Sequence, residues 1–310
     1  MKTVLILPYF GNFDKLFPLW LKSCGNNKNV DFIIFTDDRR EFPYPPNVFV
    51  HYMEFVELRD RIQRMYDFKI SLETPYRLCN FKPAYGDIFA EYIQDYDAWG
   101  FCDNDLIFGR ITRFFPKRTT KRFKIGLYGH LMVLPNDERT RTLYKYGGAY
   151  KIAFSTPQQL FFDEETFPKI LSKHGYMEYS LKIADLRPRV KRMNVLNEPG
   201  REWINHRHAF AFIDGRLLRY YIDMDGKIKN EEYCYIHFLK RPIIVPDDID
   251  SNCAIAIVPN KVINIWGGEK YHYHLSESTT KVASSGVIGK TVSSGIILSN
   301  VSKTELTKTA

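Results

Sequence analysis

Tyr96-Asp97-Ala98-Trp99-Gly100-Phe101-Cys102-Asp103-Asn104-Asp105 is a short apolar and aromatic run that stops at two carboxylates in Asp-X-Asp spacing, then resumes as Leu106, Ile107 and Phe108. A run of this kind with polar bounds reads as a buried strand, and the acidic triplet sits at its exit. Two carboxylates at the end of a buried strand repel each other and are costly to desolvate unless a positive charge lies between them. A divalent cation that also holds a diphosphate meets that need. The stretch points to an enzyme.

Upstream, residues 4–7 (Val-Leu-Ile-Leu) predict a buried strand with a turn-rich exit at Pro8-Tyr9-Phe10-Gly11-Asn12. Residues 16–24 have helical spacing and stop at Gly25-Asn26-Asn27. Residues 31–36 predict a second strand, ending at Thr36-Asp37-Asp38, and residues 48–55 a third. Residues 58–72 and 88–96 read as helices, and 124–134 as a strand pair through Gly126 and Gly129. A helix over 139–146 is capped by Gly147-Gly148, and Phe161-Phe162-Asp163-Glu164-Glu165 opens a further one. Residues 217–223 and 228–238 predict a hairpin turning at Asp225-Gly226. The fold class is α/β: a mixed, mainly parallel sheet flanked by helices, followed by a C-terminal β-hairpin region. In such sheets ligands bind outside the carboxyl ends of the strands, so the exits at 9–12, 36–38 and 103–105 are expected on one edge.

The bulk numbers narrow the classes. At 310 residues about two domains are allowed. The composition suggests one domain over 1–275 and an appended tail over 276–310, rich in Ser and Thr, with Lys281, Lys290, Lys303 and Lys308 against Glu277 and Glu305. Hydrophobic residues at 45% and aromatics at 15% exclude a disordered chain. A net charge of +8 favours an anionic partner. The five cysteines include no Cys-x-x-Cys pair, which argues against a disulfide framework and a structural zinc site. The apolar run at 4–7 is cut short by Pro8, too short for a signal peptide, and no run approaches the ~20 residues of a membrane span. A reduced, cytoplasmic protein is expected.

Four further segments carry a resemblance. They are Lys82-Pro83-Ala84-Tyr85-Gly86-Asp87, the stretch from Trp99 to Gly109, Gly129-His130-Leu131, and His237-Phe238-Leu239-Lys240-Arg241-Pro242. Together over residues 1–245 they resemble a GT-A type glycosyltransferase, built on a Rossmann-like sheet, of a bacterial group related to capsular-polysaccharide and lipopolysaccharide glycosyltransferases. The resemblance implies that Asp103, Asp105 and His237 bind a metal, with Asp103 also reaching the ribose of the donor. Two carboxylates and an imidazole suit Mn²⁺, or Mg²⁺. It implies a nucleoside-diphosphate sugar donor, UDP-linked, and a saccharide or lipid-linked saccharide acceptor.

The remaining candidates have weaker signals, each with a plainer structural alternative. Lys240 and Lys82 are candidates for the donor phosphates, although either also fits an ordinary lysine. Asp37 is a donor-binding candidate, and Tyr9 and Phe10 are candidates for stacking on the base; simple loop packing competes with each. The exit after residue 8 lacks G-x-G-x-x-G, so no dinucleotide cofactor is indicated. Asp163 and Glu164 are candidates for catalytic base or acceptor binding, against an acidic first helical turn favoured by the dipole. His130 is a candidate for the acceptor floor. The His-x-x-Lys ending resembles retaining enzymes, while Asp163 and Glu164 leave an inverting route open. Asp223-Met224-Asp225 repeats the Asp-X-Asp spacing, but Gly226 marks a hairpin turn, so it is rejected as the metal site.

The basic runs Lys117-Arg118-Thr119-Thr120-Lys121-Arg122-Phe123-Lys124 and Arg187-Pro188-Arg189-Val190-Lys191-Arg192 read as solvated faces. With a lipid-linked acceptor they also serve peripheral contact with the inner face of the cell membrane. Two rival functions remain at this point. A metal-dependent nucleotidyltransferase or phosphohydrolase also uses paired carboxylates. A basic nucleic-acid-binding protein fits only the charge and has no recognition motif, so nucleic acid is not expected as a partner.

Overall fold

The computed structural model describes residues 1–185, 208–222, 225, 227–238, 243–247, 254–258, 261–264, 272–273 and 296–297. The chain forms two compact units, Met1–Asn104 with Ile111–Leu181, and Asp105–Arg110 with Lys182–Ala310.

The first unit is built on a seven-stranded sheet in the order Val48–Tyr52, Val30–Thr36, Thr3–Pro8, Ala98–Cys102, Leu131–Pro135, Phe123–Ile125, Met177–Tyr179. The first four strands run parallel, with Leu5 level with Phe32 and Gly100. Leu131–Pro135 then pairs antiparallel with Ala98–Cys102. Thr3–Pro8 and Ala98–Cys102 are buried at every position, which is why both read as unbroken apolar runs rather than alternating ones. Gly100 is required by close approach, because a Cβ there would strike the backbone carbonyl of Met132. Helices such as Phe17–Gly25, Phe55–Gln63 and Phe167–Lys173 accompany the sheet. This is the mixed α/β, mainly parallel architecture that the strand–helix alternation predicts.

Two expected helices are shorter than their apolar spacing suggests. The one predicted over 58–72 is Phe55–Gln63, opened by the Glu54 N–H donating to Glu57 Oε2 at 2.8 Å. It stops because the Gln63 side chain closes the following loop, donating to Phe68 O at 2.9 Å and accepting from the Ile70 N–H at 3.0 Å. The loop's apolar residues pack on the core without helical backbone. The helix predicted over 88–96 is replaced by short turns, Tyr85–Ile88 and Ala90–Tyr92. Here Gly86 lies against the indole of Trp99, leaving no room for a Cβ, and Asp87 is tied to Tyr144 and Lys145 at 2.9 and 2.8 Å.

The second unit contains a five-stranded antiparallel sheet in which Arg216–Ile222 pairs with Ile228–Tyr233, the predicted hairpin. Of its turn, Asp223, Met224 and Gly226 lie outside the described residues. The predicted continuous strand over 228–238 is broken at Cys234. Tyr235–His237 joins a separate three-stranded sheet, antiparallel to Leu106–Phe108 and parallel to Ile183–Asp185. Both backbone groups of Cys234 are taken there: its N–H donates to Lys182 O and its carbonyl accepts from the Gly109 N–H, each at 2.7 Å. Gly109 is needed for that approach, since a Cβ would meet the carbonyl of Tyr233. No described helix is long and apolar enough to cross a membrane.

Candidate active site

At the C-terminal edge of the first unit's parallel strands, the first two exits are tied together by backbone and carboxylate. The Tyr9 N–H donates to Phe35 O at 2.8 Å, the Gly11 N–H to Asp37 Oδ1 at 2.7 Å and the Phe13 N–H to Asp38 Oδ2 at 2.9 Å. Gly11 has φ +96° with open space where a Cβ would stand, so the demand for glycine there is conformational. Asp38 is buried and clamped by Arg40, whose Nε donates to Oδ1 at 2.9 Å. The hydrogen bonds from Arg40 push the Asp38 carboxyl down to about 2, against the opposing effect of burial. Tyr9 stacks on Phe13 at 4.4 Å and is half-buried. Phe10 is a core residue instead, closed in against Phe55 at 5.4 Å, so Tyr9 is the accessible ring of this turn.

The third exit, after Ala98–Cys102, holds Asp103. Its N–H donates to His130 O at 3.0 Å and its carbonyl accepts the Trp20 indole N–H at 3.0 Å. Its side chain meets Lys82: Nζ lies 2.6 Å from Asp103 Oδ1, 3.6 Å from Asp163 Oδ2, and donates to Gly129 O at 2.8 Å. Burial opposes the charge on Lys82, but Asp103 and Asp163 outweigh it and hold the ammonium well above its ordinary pKa. Lys82 is thus a charged, buried cation fixed by two carboxylates and a carbonyl.

Asp163 lies in a single π-helical turn, Phe162–Thr166, entered through Phe161 at φ +48°. Burial lifts its carboxyl to about 6, with Lys82 opposing and Glu164 and Asp103 adding to the rise. Gly129 makes the turn's fit possible, because a Cβ there would collide with the Asp163 carboxylate and the Glu164 side chain. Glu164 is partly exposed. His130 is buried and stacks on Tyr128 at 5.3 Å.

In the second unit, Asp105 leads directly into Leu106–Phe108, and the pairing places His237 opposite Leu106. His237 Nε2 lies 3.5 Å from Asp105 Oδ1, both side chains being buried, and the Asp105 carbonyl accepts the Phe238 N–H at 2.9 Å. A hard oxygen and a borderline nitrogen at this spacing are donors suited to Mn²⁺ or Mg²⁺. Asp103 stands beyond a single intervening residue, Asn104, in the sequence.

Within the first unit the structure therefore brings together Lys82, Asp103, Asp163 and the Gly129-His130 backbone, and separately ties the turn that carries Tyr9 to Asp37 through the Gly11 N–H. In the second unit it joins Asp105 to His237. Lys240 and the basic run at 187–192 lie outside the described residues. Sequence reasoning missed Asp38 and Arg40, whose only signal was the acid pair closing the second strand. It also missed that Lys82 answers two carboxylates at once.

A family described as being of unknown function, DUF6625, matches residues 5–265. No curated protein matches the sequence. Among solved structures, the chain is similar to a galactosyltransferase, LgtC, in complex with donor and acceptor sugar analogues, at 8% identity and TM-score 0.41, over 77% of this chain and 88% of that one. It is also similar to mouse xyloside xylosyltransferase 1 at 11% identity and TM-score 0.37, over 60% and 88%. A third is a glycosyltransferase involved in glycosylation of the major capsid of PBCV-1, at 10% identity and TM-score 0.35, over 60% and 86%.

Proposed function

Because the chain belongs to DUF6625, a family of unknown function, its activity rests on its residues, and we propose that it is a metal-dependent glycosyltransferase of GT-A type. It moves a hexose from a nucleoside-diphosphate sugar, UDP-linked, to a saccharide or lipid-linked saccharide acceptor in bacterial surface-polysaccharide synthesis. The protein works in the cytoplasm, in peripheral contact with the membrane where its acceptor is lipid-linked.

The observation that carries this reading is the pairing of Asp105 with His237 directly after the strand-exit carboxylate Asp103. Asp105 and His237 are donors suited to Mn²⁺, with Mg²⁺ as the alternative, and we assign Asp103 as the third ligand from its Asp-X-Asp spacing. A bound cation there would neutralise the diphosphate and stabilise the leaving nucleoside diphosphate. Lys82 holds Asp103 in place through their ion pair, and Tyr9 and Asp37 offer a ring and a carboxylate to the nucleoside. Lys240 adds a point charge for the phosphates. Asp163, with its carboxyl near 6, and Glu164 face the transfer chemistry as base or acceptor contact, with His130 in the acceptor floor.

Calorimetric titration of UDP, GDP and their sugar conjugates, with and without Mn²⁺, tests the class. Manganese-dependent binding of one nucleotide is the expected result. Release of inorganic phosphate or pyrophosphate from a nucleotide, in place of an intact nucleoside diphosphate, would move the assignment to a phosphohydrolase or nucleotidyltransferase.

A further inference from the structure

The strand exits occupy one edge of the first unit's sheet, and a different feature occupies the other edge. Thr3, level with Val30 and Ala98, starts the parallel strands. The six residues of Thr3–Pro8 separate it from the exits by about 20 Å. Beside these strand starts lies a cavity of about 630 Å³ walled by Lys2, Lys28, Lys117, Asn29, Thr112 and Phe115. Lys2 Nζ sits over the Tyr96 ring at 4.6 Å. Lys28 and Lys117 are exposed, and among the described residues neither has a carboxylate partner. Asp31 is the acidic residue of the lining, and its Oδ2 is already engaged by the Tyr96 hydroxyl at 2.8 Å. Three lysines thus line the cavity against a single acidic residue, whose carboxylate is already engaged.

We propose that this cavity is an anion site for a phosphate monoester or diphosphate group, distinct from the strand-exit site. Lysines act on phosphate as point charges, and several around one cavity suit a group with more than one negative charge. Asn29 and Thr112 add neutral donors of the kind that accompany lysine at phosphates. The cavity is larger than a bare phosphate needs, and the half-buried ring of Phe115 lines the space for the molecule that carries it. Lys117 and Thr119 line the cavity, so the start of the basic run 117–124 has a binding role here rather than being a solvated face only. The chemistry has two sources, an anionic phospholipid headgroup or a soluble phosphate. Neither depends on the glycosyltransferase reading.

The test uses the full chain in EDTA, which silences any metal-dependent donor site. Pyrophosphate is titrated by calorimetry, and flotation is measured with phosphatidylcholine vesicles with and without phosphatidic acid, whose headgroup is a phosphate monoester. Lys28→Ala combined with Lys117→Ala removes two exposed charges, and an unchanged melting temperature confirms the fold. The expected result is that the double variant binds its anionic probe about tenfold more weakly at low ionic strength. Loss on phosphatidic acid vesicles identifies a lipid headgroup, and loss on pyrophosphate alone a soluble phosphate. Equal binding by variant and unaltered protein, or no binding of either probe by the folded unaltered protein, overturns the site. Manganese-dependent UDP binding, measured separately, is expected to be the same in both, so failure of one assignment leaves the other standing.

Discussion

Lys82 Nζ stands 2.6 Å from Asp103 Oδ1, and the lysine is the more deeply buried of the two, its side chain 8% exposed against 30% for the aspartate. A cation that far from water is tolerated only while its anions stay in place. Asp163 is the second of them, at 3.6 Å and itself buried. The strand exit and the π-helical turn are therefore tied through one ammonium.

Replacing Lys82 with methionine keeps much of the side chain's length and removes its charge. Asp163 is then left buried without a cation, and truncating one partner of a buried pair costs about 3–5 kcal/mol. Urea unfolding is expected to show a loss of that size. A loss below about 1 kcal/mol would mean that the pair contributes no more than an exposed one.

Asp163 gives stability a slope with pH. Its carboxyl titrates near 6 in the fold against 3.8 ordinarily, so the folded state holds that proton more tightly than the unfolded one. The contribution is complete below 3.8 and is lost as pH rises through about 6. The difference is on the order of 3 kcal/mol. Asp163→Asn is expected to flatten the dependence of unfolding free energy on pH across this window. An unchanged slope in the variant would assign it to other groups.

Gly129→Ala places a methyl group against the Asp163 carboxylate and the Glu164 side chain. Overpacking of this kind costs about 1–3 kcal/mol. The displaced carboxylate also loses its position beside Lys82, so the pH slope described for Asp163 is expected to shift in the same variant. A variant with the original stability and slope would show that the turn moves aside freely.

Asp105→Ala and His237→Ala each remove a donor from a pair 3.5 Å apart. With the chain read as a metal-dependent glycosyltransferase, each is expected to weaken Mn²⁺-dependent UDP binding at least about tenfold, which calorimetry reads directly. Chelation by EDTA should reproduce the effect in the unaltered protein. UDP affinity indifferent to both variants and to EDTA would remove these residues from the donor site.

Much of the first unit's sheet was legible because strands covered on both faces must be continuously apolar, as residues 4–7 and 98–102 are. Their exits were legible as well, because each apolar run gives way there to turn-forming and acidic residues, at 9–12, 36–38 and 103–105. The helices over 58–72 and 88–96 were overread. Apolar spacing records which residues are buried, and Met65, Tyr66 and Phe68 reach the core from a loop as readily as from a helix. Cys234 was missed as a switch between sheets because its role lies in the backbone hydrogen bonds to Lys182 and Gly109. Those bonds leave no mark on side-chain pattern.

Local hydrophobic patterning carries the α/β class, the course of the buried strands and the carboxylates at their exits, because each is written in neighbouring residues. That Lys82 answers both Asp103 and Asp163, that Gly129 clears the ground for that carboxylate, and that His237 lies beside Asp105 became visible in the folded chain. Each of those relations joins residues far apart along the chain. Their distances are set by strand register and close backbone approach, and neither is encoded in the neighbourhood of any one residue.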